Sequence, residues 1–123
     1  MKKIREFKSG ATRDIEEGKN DYEGFFSPLV IERFGDYMNK HRKQSDGKLR
    51  NSDNWQKGFG DNHLDVCMKS GWRHFLDWWK AHRGYKSRDG IEEALCGIIF
   101  NAMAYLFEIL KKKNETSRKR ILK

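Results

Sequence analysis

Apolar residues recur at helical spacing in three stretches of the chain, separated by polar segments in which no such period survives. Val30, Phe34, Tyr37 and Met38, with Ile31 beside them, form the first stripe. Ser27 and Pro28 stand in front of it as cap and first helical residue, so a helix is predicted from there to about Lys43. The second stretch runs from Asn62, whose side chain suits a cap, to Gly84, a natural stop. Within it, Trp72, Phe75, Trp79 and His82 share one face at about 100° per residue, and Ser70, Arg73, Asp77 and Lys80 share the adjoining one. The third stretch has Asp89 as its cap, Glu92 and Glu93 at the positive end of the dipole, and Lys111, Lys112 and Lys113 at the negative end. Ala94, Leu95, Ile98, Ala102, Tyr105, Leu106 and Ile109 are its apolar stripe. No period-2 stretch of useful length is present, so the fold class is all-α, a small bundle of three main helices.

The polar segments divide the rest. Residues 1–20 carry mixed charge without a hydrophobic period and read as an extended N-terminal arm, residues 21–113 as the helical domain, and residues 114–123 as a basic tail. Between Gln44 and Asp61 the composition turns to Ser, Asp, Gly and Asn, and a loop of that length in a small domain is often functional. A chain of 123 residues forms one domain with a single modest core. Its 13% aromatic content is too high for a disordered chain, despite 36% charged residues. The net charge of +8 is concentrated at the end: from Lys111 onward seven Lys or Arg stand against Glu115, which leaves +2 for everything before. The high pI therefore argues for a solvated basic terminus more than for a nucleic-acid-binding core. Cys67 and Cys96 sit apart in apolar helical stretches and read as buried free thiols. No apolar run of about 18 residues and no signal-peptide pattern is seen, so the expectation is a cytoplasmic protein without a membrane partner.

Several residues carry candidate chemistry. The aromatic wall on the second helix is core packing on one reading and a stacking surface on the other. Arg73 and Asp77, four apart, pair as a surface ion bridge, or else Arg73 holds a phosphate beside the rings. Trp55 in the polar loop either plugs the edge of the domain or offers a stacking face, and Lys57 beside Gly58 places a cation where backbone approaches closely. Asn101 interrupts an apolar stripe, where it ties helices together or faces a site. Hydrolysis of a nucleoside triphosphate on helices needs a carboxylate cluster for Mg²⁺, and the paired Glu-x-x-Glu and Glu-x-x-Asp spacing is missing; Asp77, Glu93 and Glu108 are the remaining candidates across helices. There is no phosphate-binding Gly-rich loop, and His63, His74 and His82 lack metal-motif spacing.

Taken in order, Lys19, Asp21, Tyr22, Tyr37, the Asn54-Trp55-x-Lys57-Gly58 run, Arg73-His74, Trp78, Asp89-Gly90, Ala94 and Asn101-Ala102 resemble a phage-associated family, the dATP/dGTP diphosphohydrolase N-terminal domain. The resemblance spans roughly residues 19–110 and corresponds to the first part of a fused protein. It implies a helical protein that binds purine nucleotides or cyclic nucleotides. Such a protein is either a module handling deoxynucleoside triphosphates or a sponge for a host immune nucleotide signal, in the host cytoplasm if phage-encoded. The ligand-binding residues it points to are Trp55, Lys57, Arg73, His74, Asp77, Trp78 and Asn101, with no catalytic residue and no metal ligand assigned. Two alternatives stand beside it: a pyrophosphate-releasing dATP/dGTP diphosphohydrolase using Mg²⁺ as cofactor, and a nucleic-acid or protein-interaction adaptor working through the basic tail. More aromatic residues than one small core can bury also predict a homo-oligomer.

Overall fold

The computed structural model describes residues 3–15 and 17–122, with side chains as far as Ser117. Two compact units are present, Met1–Glu32 and Arg33–Lys123. The first opens with a β-hairpin, which corrects the expected strandless arm. β1 (Ile4–Glu6) pairs antiparallel with β2 (Thr12–Asp14), Ile4 opposite Asp14 and Glu6 opposite Thr12. Three-residue strands are too short to show a period, and the turn is what forms them. Phe7 N donates to Ala11 O at 2.9 Å, and Gly10, at φ 90°, lets the chain reverse. The protein is thus mainly helical with one small sheet. α1 (Tyr22–Phe25) is a single turn capped by Asp21, whose Oδ1 accepts from Gly24 N at 3.0 Å.

α2 (Pro28–Lys40) begins where Ser27 and Pro28 predict, and ends short of Lys43. The reason lies in the loop that follows. Lys43 bridges Leu49, Gln44 N donates to Lys48 O at 2.9 Å and Arg50 N to Arg42 O at 2.8 Å, so the chain folds back on itself instead of continuing as helix. A single 3₁₀ turn, Asn54–Lys57, closes the long loop.

The second unit is built on α3 (His63–His82) and α4 (Ile91–Leu122). Asn62 occupies the cap position of α3 without a side-chain bond, and Gly84, at φ 81°, follows the last turn as expected. Four contacts show that the two helices run antiparallel. His63 Nε2 donates to Ala104 O at 2.9 Å, Asn101 Nδ2 donates to Ser70 Oγ at 3.3 Å, the His74 ring lies against Gly97, and Asp77 accepts from the backbone of Arg88 and Asp89. As numbers rise along α3 they fall along α4. The buried apolar residues among those described are Tyr37, Cys67, Ala94, Cys96 and Ala104, with His63, Asp77 and Asn101 buried beside them. The seam is therefore small and polar, and both thiols are free and buried, Cys67 on α3 and Cys96 on α4. Burial pushes each thiol above its ordinary pKa, helped at Cys67 by Glu108.

The aromatic wall of α3 does not form the core. Trp72 is 64% and Trp79 50% exposed. On the other side of the hairpin, Trp55 packs edge-on against Phe100 and Phe107 of α4, at 6.0 and 5.1 Å between centroids. Arg33 of α2 reaches Glu92 at 2.7 Å and Glu93 at 3.2 Å, and Lys40 reaches Glu93 at 3.5 Å.

Two further expectations change. α4 continues through the region read as a loose tail, to Leu122; the side chains of residues 118–122 and the whole of Lys123 lie outside the described residues. Moreover, Ile91–Ser117 contains an 18-residue window of mean hydropathy 1.6, so by length and composition alone α4 is able to cross a membrane, contrary to the expected lack of such a run.

Candidate functional site

The end of α2, the folded-back loop and the 3₁₀ turn enclose a cleft of about 440 Å³ within the second unit. Tyr37, Trp55, Phe59 and Phe100 supply rings, Arg42, Arg50 and His41 supply basic groups, and Asn51, Ser52 and Asn54 supply neutral donors and acceptors. Local structure explains each placement. The backbone bridge that folds residues 43–49 back brings Arg42 and Arg50 side by side, and each guanidinium is then held by backbone: Arg42 Nε donates to Arg50 O and an Arg50 terminal nitrogen to His41 O, both at 2.9 Å. Arg42 also donates to Asn39 Oδ1 at 3.2 Å. Neither guanidinium forms an ion pair with a carboxylate among the described residues. With five donors each, both retain N–H groups for an anion.

The His41 ring lies tilted by 45° against Tyr37 at 4.3 Å between centroids and stands 3.8 Å from Glu93. Glu93 itself is committed. Burial works to raise its pKa, but the hydrogen bond from Arg33 and the charge of Lys40 outweigh that, so its carboxyl stays below the usual range. Tyr37, buried beneath the cleft, has its phenol pushed up by burial and by the charge of Glu93. Phe59 completes the wall by stacking on His63 at 4.9 Å, while its N–H donates to His63 Nδ1 at 3.0 Å. His63 therefore accepts at Nδ1 and donates at Nε2, which makes it a structural clamp between loop, α3 and α4.

Of the residues expected to bind ligand, Trp55 lines this cleft and the others do not. Lys57 is exposed at the end of the 3₁₀ turn. Arg73 is exposed on α3 without an ion pair among the described residues, so the anticipated bridge to Asp77 is absent. Asp77 is instead buried, its two oxygens taken by the backbone N–H groups of Arg88 and Asp89 ahead of α4. His74 lies in the seam, and Trp78 packs edge-on against Phe75 at 5.6 Å. Asn101 donates to Gly97 O at 2.7 Å and to Ser70, the helix-tying alternative. Nor do Asp77, Glu93 and Glu108 converge: Glu108 stands near Gly58 and pairs with Lys112 at 3.7 Å. Among the described residues no group of three or more His, Cys, Asp or Glu is placed to hold a metal ion.

Arg42 and Arg50 escaped the sequence reading. A signal was present, since basic residues bracket the Ser45-Asp46-Gly47 turn on both sides, and Gly47 takes φ 84° at its tip. No protein-family model, curated protein or solved structure matches the chain.

Proposed function

We propose that the protein binds a purine nucleotide in the cleft between α2 and the 3₁₀ turn, with Arg42 and Arg50 on phosphate and the Trp55 side of the cleft against the base. One observation carries this reading: two adjacent guanidiniums held by carbonyl oxygens, without a carboxylate partner among the described residues, open onto a ring-lined cleft of about 440 Å³. That volume lies in the range of small-molecule sites, roughly 300–1,000 Å³. A pair of guanidiniums suits phosphate oxygens better than a point charge does, because each presents a planar fork of donors. Asn51 and Asn54 add amide groups able to read a base edge. The preference for purine follows from the ordered resemblance around Asn54, Trp55 and Gly58. Phosphate binding accordingly moves from Lys57 and Arg73 to the pair that lines the cleft.

Calorimetric titration with dATP, dGTP and cyclic purine nucleotides, with and without Mg²⁺, tests the reading. Arg42→Ala and Arg50→Ala should each weaken binding about ten- to hundredfold, the equivalent of a charge-assisted contact of roughly 1.5–3 kcal/mol, with helical content retained. Arg73→Ala should bind as the wild type does. Failure of every purine nucleotide to bind, or loss of binding in Arg73→Ala but not in Arg50→Ala, would overturn the proposal.

A further inference from the structure

The flank of the α3–α4 hairpin opposite Trp55 is open. A groove of about 550 Å³ runs along it, floored by Gly71, Asn101 and Ala102 and walled by Trp72 and Phe75 on one helix and Leu106 on the other. None of the residues lining it is charged. The walls stand well out of the protein: Met68 is 51%, Trp72 64%, Phe75 41% and Leu106 55% exposed. Trp79, 50% exposed with the Arg83 guanidinium 5.7 Å from its ring centroid, follows Trp72 along α3 beyond the groove.

We infer that this face is a homodimer interface, on which a second copy packs its own α3–α4 hairpin to close a four-helix bundle. Area is the first argument. Exposed parts of Trp72, Phe75 and Trp79 alone come to roughly 300 Å², at the 150–250 Å² an aromatic side chain presents. Met68, Ala102 and Leu106, with the part-exposed Ile98, Tyr105 and Ile109, extend the face past the ~300–600 Å² patch of a typical monomer, toward the ~800 Å² that each partner of a stable interface contributes.

Shape and charge select a second copy over another occupant. In a twofold dimer one patch must complement itself, and this one carries both a projecting ring, Trp72, and a trough over Gly71 and Ala102 to receive its counterpart. Because the groove lining holds no charge, the groove meets its own image without like-charge repulsion, and Arg83 over Trp79 stands outside it. Lys69, Arg73 and Lys80 are exposed on the adjoining face of α3 and stay in water. A bilayer is the poorer fit. Burying α4 in lipid would also bury its ion pairs with Arg33 and Lys40 and the polar cleft beyond them.

Sedimentation equilibrium on the full chain at micromolar concentration should give twice 14.6 kDa. Trp72→Glu and Leu106→Glu should each give a monomer with helical circular dichroism intact, Trp72→Ala should raise the dimer dissociation constant roughly a hundredfold, and Lys80→Glu should leave it unchanged. Hydroxyl-radical footprinting of the wild type adds a readout independent of any variant. Met68 and Trp72 should be shielded in the concentrated sample and react on dilution. A wild-type monomer, a folded Trp72→Glu dimer, Met68 unshielded in the dimer, or a monomer that floats with phosphatidylcholine vesicles would each overturn the inference.

Discussion

His74 lies face-on against Gly97, so closely that a methyl group added to the glycine would stand 2.5 Å from His74 Nδ1 and 2.6 Å from Cγ. The ring fills the space where another helix would carry a side chain. Gly97→Ala should therefore destabilise the protein by about 1–3 kcal/mol, the overpacking term exceeding the ~1 kcal/mol that Ala gains over Gly in a helix. Gly35→Ala is the matched control, in mid-α2 with nothing within 4 Å, and should stabilise by about 0.5–1 kcal/mol. Urea denaturation of the two variants checks the opposite signs.

The same ring makes the fold sensitive to acid. Burial first, and the Arg88 charge second, hold His74 below the ordinary imidazole value of 6.5, against the pull of Asp89 and Asp77. The folded state thus binds the proton more weakly than the unfolded chain does. Stability is complete above the unfolded pKa and declines as pH falls through the window down to the folded value. Denaturation midpoints should drop as pH falls below the ordinary imidazole value of 6.5, and His74→Gln should flatten that part of the profile. An unchanged slope in His74→Gln would assign the effect to other groups.

Asp77 is expected to matter for the link between helices and not for ligand. Asp77→Ala leaves the backbone N–H groups of Arg88 and Asp89 without their acceptor and should cost about 2–4 kcal/mol, whereas Asp77→Asn keeps an acceptor oxygen and should cost less. Amide exchange at residues 88 and 89 should accelerate in Asp77→Ala, while nucleotide affinity of the folded variant stays at the wild-type level.

Truncation after Lys113 should leave the hairpin intact. Residues 114–117 are exposed, and the side-chain hydrogen bond that Thr116 makes is local, to Lys112 O at 3.0 Å. The truncated chain should lose helical ellipticity in proportion to the removed turns and keep its thermal midpoint within a few degrees. A large fall in midpoint would show that the end of α4 is anchored.

Helix starts and the end of α3 were legible because their signals are local: Ser27-Pro28 starts α2, Gly84 follows α3, and Glu92 with Glu93 opens α4, whereas the ends of α2 and α4 were not. The buried face of α3 was not. Hydropathy selects Trp72, Phe75 and Trp79, whereas the inward face of α3 carries His63, Cys67, Ser70, His74 and Asp77, of which His63, Ser70 and Asp77 are hydrogen-bonded, Cys67 is small and His74 lays its ring on Gly97. The candidate site divides in the same way. Trp55 stood out as a ring in a polar loop, but Arg42 and Arg50 meet only through the Lys43–Leu49 bridge, a pairing that no periodicity announces.

A seam built from hydrogen bonds has a consequence for how the hairpin finds its alignment. Oily seams tolerate sliding, since one methyl group replaces another. Here a slip of one turn, about 5.4 Å, would take His63 from Ala104 O, Asp77 from the Arg88 and Asp89 amides and Asn101 from Ser70 at once, and would leave His63 Nε2 and the Asp77 carboxylate buried without those partners. It would also drive the His74 ring from the one glycine that admits it. The two helices therefore mesh like key and lock at a single setting, which leaves the outward apolar flank free to vary in shape without losing its place.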